Sequence, residues 1–214
     1  MMMAKAMWRT WTVAVCGWLL GAALAYGASE NDLQGERVLI VLPPGDFRDE
    51  EYAKTREALQ AHGAVITVAS VNKEPLRGML GTVVEPDCTL QEAEVDEFAA
   101  VVFVGGVGAT RYFHDHAVHA LAHQAVERGK VVGAICLAPV ILANAGLLQG
   151  KASTVCPTKR EDLRKRGAQV KTDDVVVEGK LVTASGPDAS AAFGQALVKV
   201  IRETRKGPVE QLAE

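Results

Sequence analysis

Apolar runs and the turns between them divide the chain from Arg37 onward into strands alternating with helices. Arg37-Val-Leu-Ile-Val-Leu-Pro43 is apolar at consecutive positions rather than alternate ones, the pattern of a strand buried on both faces. Residues 49–62 then carry helical spacing up to Gly63, and Ala64-Val-Ile-Thr-Val-Ala-Ser70 resumes a strand, completing a βαβ unit. A second unit follows as a strand over 99–105, a helix over about 115–128 stopped by Gly129, and a strand over 130–135. Further on, the spacing predicts helices over 139–145, 159–166 and 188–203, and a hairpin over 175–183 turning at Glu178-Gly179. The expected fold is α/β, with a mostly parallel sheet and helices on both faces. No Pro/Gly-rich linker divides residues 36–203, which are expected to form one domain, and residues 204–214 lose the apolar spacing as a flexible tail does.

Residues 1–25 follow a different rule. Lys5 and Arg9 are their only charges, an apolar run extends from Thr12, and Ala23-Leu-Ala25 closes it with small residues at alternate positions. A basic head, an apolar stretch and a small-x-small end make a secretory signal peptide, which implies export to the periplasm or the medium. The alternative is an uncleaved segment serving as a membrane anchor, although the run is shorter than the ~20 residues of a bilayer span. After cleavage no membrane contact is expected. All three Trp leave with the peptide, while Cys88, Cys136 and Cys156 remain. Three thiols cannot all pair within one chain.

The full chain has a net charge of −3 and becomes more acidic once Lys5 and Arg9 are removed, which argues against nucleic acid or an anionic membrane as the main partner. Lys159–Arg166 is the densest basic stretch, but its interleaved acids mark a solvated helix face.

Three segments carry candidate chemistry. In Lys130-Val-Val-Gly-Ala-Ile-Cys-Leu-Ala-Pro139 a buried strand ends at Cys136 and turns directly into a helix, with small Ala134 and Ala138 two residues to either side. A thiol at a helix N-terminus is expected to have a lowered pKa. Pro43-Pro-Gly-Asp-Phe-Arg-Asp-Glu-Glu-Tyr52 brings Asp49, Glu50 and Glu51 to the carboxyl edge of the same sheet, where open α/β sheets bind ligands. Val104-Gly-Gly-Val-Gly-Ala-Thr110 ends another strand in glycines. Arg111 stands where a dinucleotide fingerprint needs its third glycine, so close backbone approach, with the Gly106 N–H aimed at an oxyanion, is its better use. His114, His116, His119 and His123 lack the Glu of a metal-binding HExxH helix, and no metal is expected there. His114 or His116, following the glycine loop, could still reach a pocket at this edge.

Phe47-Arg-Asp-Glu-Glu51, Pro86-Asp-Cys-Thr-Leu90, Gly105-Gly106, Ala134-Ile-Cys-Leu-Ala-Pro139 and Ser185-Gly-Pro-Asp-Ala-Ser190, in this order, resemble the landmarks of the ThiJ/PfpI superfamily over roughly residues 36–203. The resemblance implies a flavodoxin-like three-layer sandwich and a homodimer. It implies that Cys136 is the elbow nucleophile, that Glu51 is the acid touching it, and that the N–H groups of Gly106 and Leu137 form an oxyanion hole. A carboxylate would repel a thiolate, so Glu51 is expected to be protonated and to donate to sulfur. The implied activity is glyoxalase- or deglycase-like chemistry on a small-molecule carbonyl substrate without a cofactor; the alternative is a redox-sensing or chaperone-like stress protein. PfpI-type proteases carry histidine where Leu137 stands, which counts against a peptidase. Cys156 falls where relatives tend to place histidine or tyrosine near the elbow. If close to Cys136 it is a redox partner or a second ligand for a soft metal; otherwise it is an apolar strand cysteine.

Overall fold

The computed structural model describes residues 32–206; the signal-peptide and anchor expectations for residues 1–25, and residues 207–214 of the expected tail, lie outside the described residues. The strands are β1 Arg37–Val41, β2 Val65–Ser70, β3 Leu76–Arg77, β4 Val83–Val84, β5 Cys88–Thr89, β6 Ala100–Phe103, β7 Val131–Ile135, β8 Ala152–Ser153, β9 Gln169–Val170, β10 Val175–Glu178 and β11 Leu181–Ala184. The helices are α1 Asp49–Ala61, α2 His116–Glu127, α3 Pro139–Asn144, α4 Arg160–Lys165 and α5 Ser190–Lys206. Seven strands form the central sheet in the order β10-β11-β7-β6-β1-β2-β5, parallel throughout except for the β10–β11 hairpin.

The continuous apolar run of β1 resolves into two alternating faces. Val38, Ile40 and Leu42 pack with Leu59 of α1 and Phe193, Leu197 and Ile201 of α5. Leu39 and Val41 pack in the opposite core with Val118 and Leu121 of α2 and Ile141 and Leu142 of α3. Period-two alternation thus serves two cores, giving the three-layer sandwich. α1 and α5 lie close enough that a Cβ on Gly194 would sit 2.5 Å from the Ala58 Cβ, so α5 holds α1 firmly against the sheet.

The helix boundaries have local causes. Asp115 caps α2 by accepting from the N–H groups of Ala117 and Val118. The expected end at 203 is passed by α5, which continues to Lys206; buried Ile201 and the ion pairs Arg202–Asp32 (3.0 Å) and Arg205–Glu36 (3.8 Å) hold its last turns against the start of the domain. Glu178 pairs with Leu181, so the hairpin turns at Gly179-Lys180, one residue later than expected, with Gly179 at φ +60° taking the left-handed position. The two-residue strands β3, β4, β5, β8 and β9 are too short to produce a periodic signal and were not expected. Among the described residues no helix is long and apolar enough to cross a membrane.

Candidate active site

The parallel register between β6 and β7 aligns Phe103 with Ala134. Two residues further on, at the carboxyl edge, Gly105 comes beside Cys136. The approach is tight: a Cβ on Gly105 would lie 2.6 Å from Glu51 Oε2 and 2.8 Å from the Cys136 Cβ. Gly106, at φ +93°, is pressed against the loop before α1, where a Cβ would meet Asp46 O at 2.4 Å. The absence of side chains at 105 and 106 therefore allows β1, β6 and β7 to converge here.

Cys136 has φ +62°, a left-handed conformation that only one other non-glycine among the described residues, Asp46, adopts. This kink turns the chain from β7 toward α3 within the short turn of residues 136–138. The surrounding structure holds it: Cys136 N–H donates to Ala184 O at 2.9 Å, and its carbonyl accepts from Cys156 N–H at 3.0 Å. Among the described residues the backbone N–H groups of Gly106 and Leu137 donate to no backbone or side-chain acceptor, so both remain free for a developing oxyanion.

The three acids in the first turn of α1 have separate tasks. Asp49 accepts from Leu80 N–H and Thr82 N–H, each at 2.8 Å, and so anchors the loop between β3 and β4. Glu50 pairs with Arg48 at 2.9 Å. Glu51 points inward with no exposed surface, and its Oε2 accepts from Gly105 N–H at 3.0 Å. Its buried Oε1 has no hydrogen-bond partner, and the carboxyl lies next to the Cys136 side chain. Burial pushes the Glu51 pKa up to about 7, against the opposing pull of the Cys136 and Gly105 hydrogen bonds. Oε1 is therefore the oxygen free to carry a proton.

Cys156 lies beside Cys136. It is not a strand residue: it is half-buried in extended backbone leading into the short turn Pro157–Lys159, and the backbone before it is fixed by Thr154 N–H donating to Thr183 Oγ1 at 2.9 Å. Its Sγ lies 3.3 Å from Thr158 Oγ1, while the backbone N–H of Lys159 donates to the Cys156 carbonyl at 2.9 Å. The thiols form a coupled pair. The neighbouring Cys136 thiol, with the Thr158 hydroxyl and the nearby backbone of Thr158 and Lys159, lowers the Cys156 pKa to about 6. Hydrogen bonding to Cys156, burial and the neighbouring Glu51 charge raise that of Cys136. This reverses the expected lowering of Cys136 by a helix N-terminus, because α3 begins three residues later and two acidic groups crowd the sulfur. The first proton therefore leaves the pair as a unit.

The remaining candidates lie elsewhere. Cys88 is in β5 at the sheet edge, with its Sγ 4.0 Å from Val68 O. His114 and His116 are exposed, and His119 Nε2 lies 3.1 Å from Phe113 O. Among the described residues no group of three or more His, Cys, Asp and Glu could hold a metal. The three cysteines among the described residues, Cys88, Cys136 and Cys156, are free thiols. Thr158 and the hairpin-anchoring role of Asp49 were not apparent from the sequence; for Thr158, the only signal was a hydroxyl two residues after a cysteine. A cavity of about 380 Å³ lies beside β2, lined by Tyr52, Arg56, Val68, Val84 and Asp87, and none of its lining residues belongs to this site.

A sequence model described as the DJ-1/PfpI family matches residues 36–200. An uncharacterized protein of Methanocaldococcus jannaschii is 36% identical over 82% of this chain and 87% of its own length. A deglycase of Thermococcus kodakarensis is 30% identical, covering 77% of this chain and 99% of the relative. A glutathione-independent glyoxalase of Caenorhabditis elegans is 27% identical, covering 79% of this chain and 89% of the relative. Among solved structures, a ThiJ/PfpI domain protein from Brachyspira murdochii superposes with a TM-score of 0.78 at 32% identity, covering 79% of this chain and 98% of that one.

Proposed function

The chain belongs to the DJ-1/PfpI family, and from that membership we propose that it is a deglycase- or glyoxalase-like enzyme acting on small reactive carbonyls through Cys136 and Glu51. The observation that carries this reading is the convergence of a kinked Cys136, a buried Glu51 that titrates near neutrality, and two free N–H groups at one sheet edge. Relatives named deglycase and glyoxalase support the same class of substrate.

In the proposed mechanism, the Cys136 sulfur adds to the aldehyde carbon of a 2-oxoaldehyde while its proton passes to the Cys156 sulfur. The new oxyanion is held by the N–H groups of Gly106 and Leu137. Glu51 then carries the hydrogen of the aldehyde carbon to the neighbouring carbonyl carbon, and water releases the product as a 2-hydroxy acid, so the net change is addition of one water. A carboxyl with a pKa of about 7 can both take and return a proton at neutral pH. No cofactor is required. The proposal includes export directed by residues 1–25, with cleavage after Ala25, and assembly as a homodimer.

The test is consumption of methylglyoxal by the purified chain. Cys136→Ser should abolish it, and Glu51→Gln should slow it by about two to four orders of magnitude. Undiminished turnover in either variant would overturn the assignment.

A further inference from the structure

We propose that Cys136 and Cys156 form a hydroperoxide-sensitive dithiol, in which Cys156 captures oxidised Cys136 as a reversible disulfide. The geometry carries this: the Cys156 N–H to Cys136 O bond of 3.0 Å ties the two backbones together at this point, and the two thiols are close enough to shift each other's titration. Both are half-buried, so a small oxidant reaches them.

The chemistry balances with a hydroperoxide as oxidant. The Cys136 sulfur, its proton passing to the Cys156 sulfur, attacks the terminal oxygen of the peroxide; the O–O bond breaks, Cys136 becomes a sulfenic acid, and the leaving oxygen takes that proton from Cys156 and departs as an alcohol or water. The Cys156 sulfur, supported by the Thr158 hydroxyl at 3.3 Å, then attacks the Cys136 sulfur. The S–O bond breaks, and the departing hydroxide takes the proton of the Glu51 carboxyl as water; solvent returns that proton to Glu51. Overall, two thiols and one hydroperoxide give one disulfide, one alcohol and one water. The carboxyl that serves as the proton relay in carbonyl chemistry acts here as the acid for the leaving group. Cys156 competes with further oxidation of Cys136: without it, the sulfenic acid proceeds irreversibly to the sulfinic acid. Disulfide formation removes the nucleophile, so carbonyl turnover stops until a thiol reductant restores it. That last consequence rests on the proposed function; the disulfide itself does not.

The experiment treats the reduced, desalted full chain with one equivalent of hydrogen peroxide and follows intact mass, a non-reducing tryptic map and methylglyoxal consumption. The expected product is lighter by two hydrogens and links peptide 131–151 to peptide 152–159. Dithiothreitol should reverse the link and restore turnover. Cys156→Ser should instead gain oxygen atoms that dithiothreitol does not fully remove, while Cys88→Ser should form the same link as the wild type. Addition of oxygen alone in the wild type, or a link through Cys88 or Cys16, would overturn the proposal. A correct disulfide in a protein whose reduced form never consumes methylglyoxal would overturn the proposed function and leave the dithiol standing.

Discussion

Cys136 at the centre of the sheet and Cys88 at its edge are the same side chain in two settings. Around Cys136 converge the end of β7, the glycines after β6, the first turn of α1 and the segment before Pro157, which together supply an acid, a second thiol and free N–H groups. Cys88 sits in a two-residue strand that pairs only with β2. Burial and the nearby Asp87 and Glu92 raise its pKa, and its sulfur faces a carbonyl rather than donors. Reactivity in this fold is thus a property of position. Adjacent parallel strands at the centre end side by side and open their loops onto one edge, whereas an edge strand meets little beyond its own sequence neighbours.

The largest effect expected from this contrast belongs to Glu51. Its pKa lies at about 7 in the folded chain against an ordinary 4.5. Between those values the native state keeps a proton that the unfolded chain has released, so stability falls as pH rises through the window. Glutamine can still accept from Gly105 but does not titrate. Relative to Glu51→Gln, the wild type should therefore lose about 3 kcal/mol between pH 4.5 and 8, measured from urea midpoints. Parallel pH curves for the two proteins would mean that the centre carries no buried titrating acid, and the contrast with the edge would collapse.

Next in size is the difference between the thiols themselves. With the Cys156 pKa lowered to about 6 and that of Cys88 raised, iodoacetamide should label the central pair with an apparent pKa well below that of Cys88. At pH 7 each rate, expressed as a fraction of its own high-pH plateau, should differ by about a hundredfold. Normalising in this way removes the lower intrinsic nucleophilicity of the more acidic thiolate. Peptide mapping separates the sites, because Cys88 lies in tryptic peptide 78–111. Coincident profiles would break the comparison.

The central site was more legible in the sequence than the edge, for a physical reason. A doubly buried strand writes a long apolar run, and a kink next to a helix requires small neighbours, so β1, β6, β7 and the Cys136 elbow all leave marks. The approach of Gly105 to Cys136 follows from parallel register once those strands are placed. The sulfur's protonation did not follow, because it depends on which groups from distant segments face it: Cys156 arrives from 20 residues away through a backbone bond to Cys136 O, and no periodicity encodes that. Similarly, Asp49, Glu50 and Glu51 are alike as first-turn acids, and only the tertiary structure separates their roles. The strands near the edge are two residues long, which is below the length at which alternation can be detected.

Asp49 gives the smallest and most discriminating test, because it shares a helical turn with Glu51 yet serves the hairpin near the edge. Its carboxylate satisfies the N–H groups of Leu80 and Thr82. Leu80 and Thr82 are exposed, so in Asp49→Ala water can replace much of what is lost, and the cost should be about 1–2 kcal/mol in urea unfolding. The loop between β3 and β4 should exchange its amide hydrogens faster, while the labelling profile of the central pair and methylglyoxal turnover stay as in the wild type. If Asp49→Ala instead shifted the thiol profile, the first turn of α1 would act as one electrostatic unit, and centre and edge would have to be treated as coupled. Glu51 is separated from that change by its own hydrogen bond to Gly105, which fixes its carboxyl from the β6 side whatever the hairpin does.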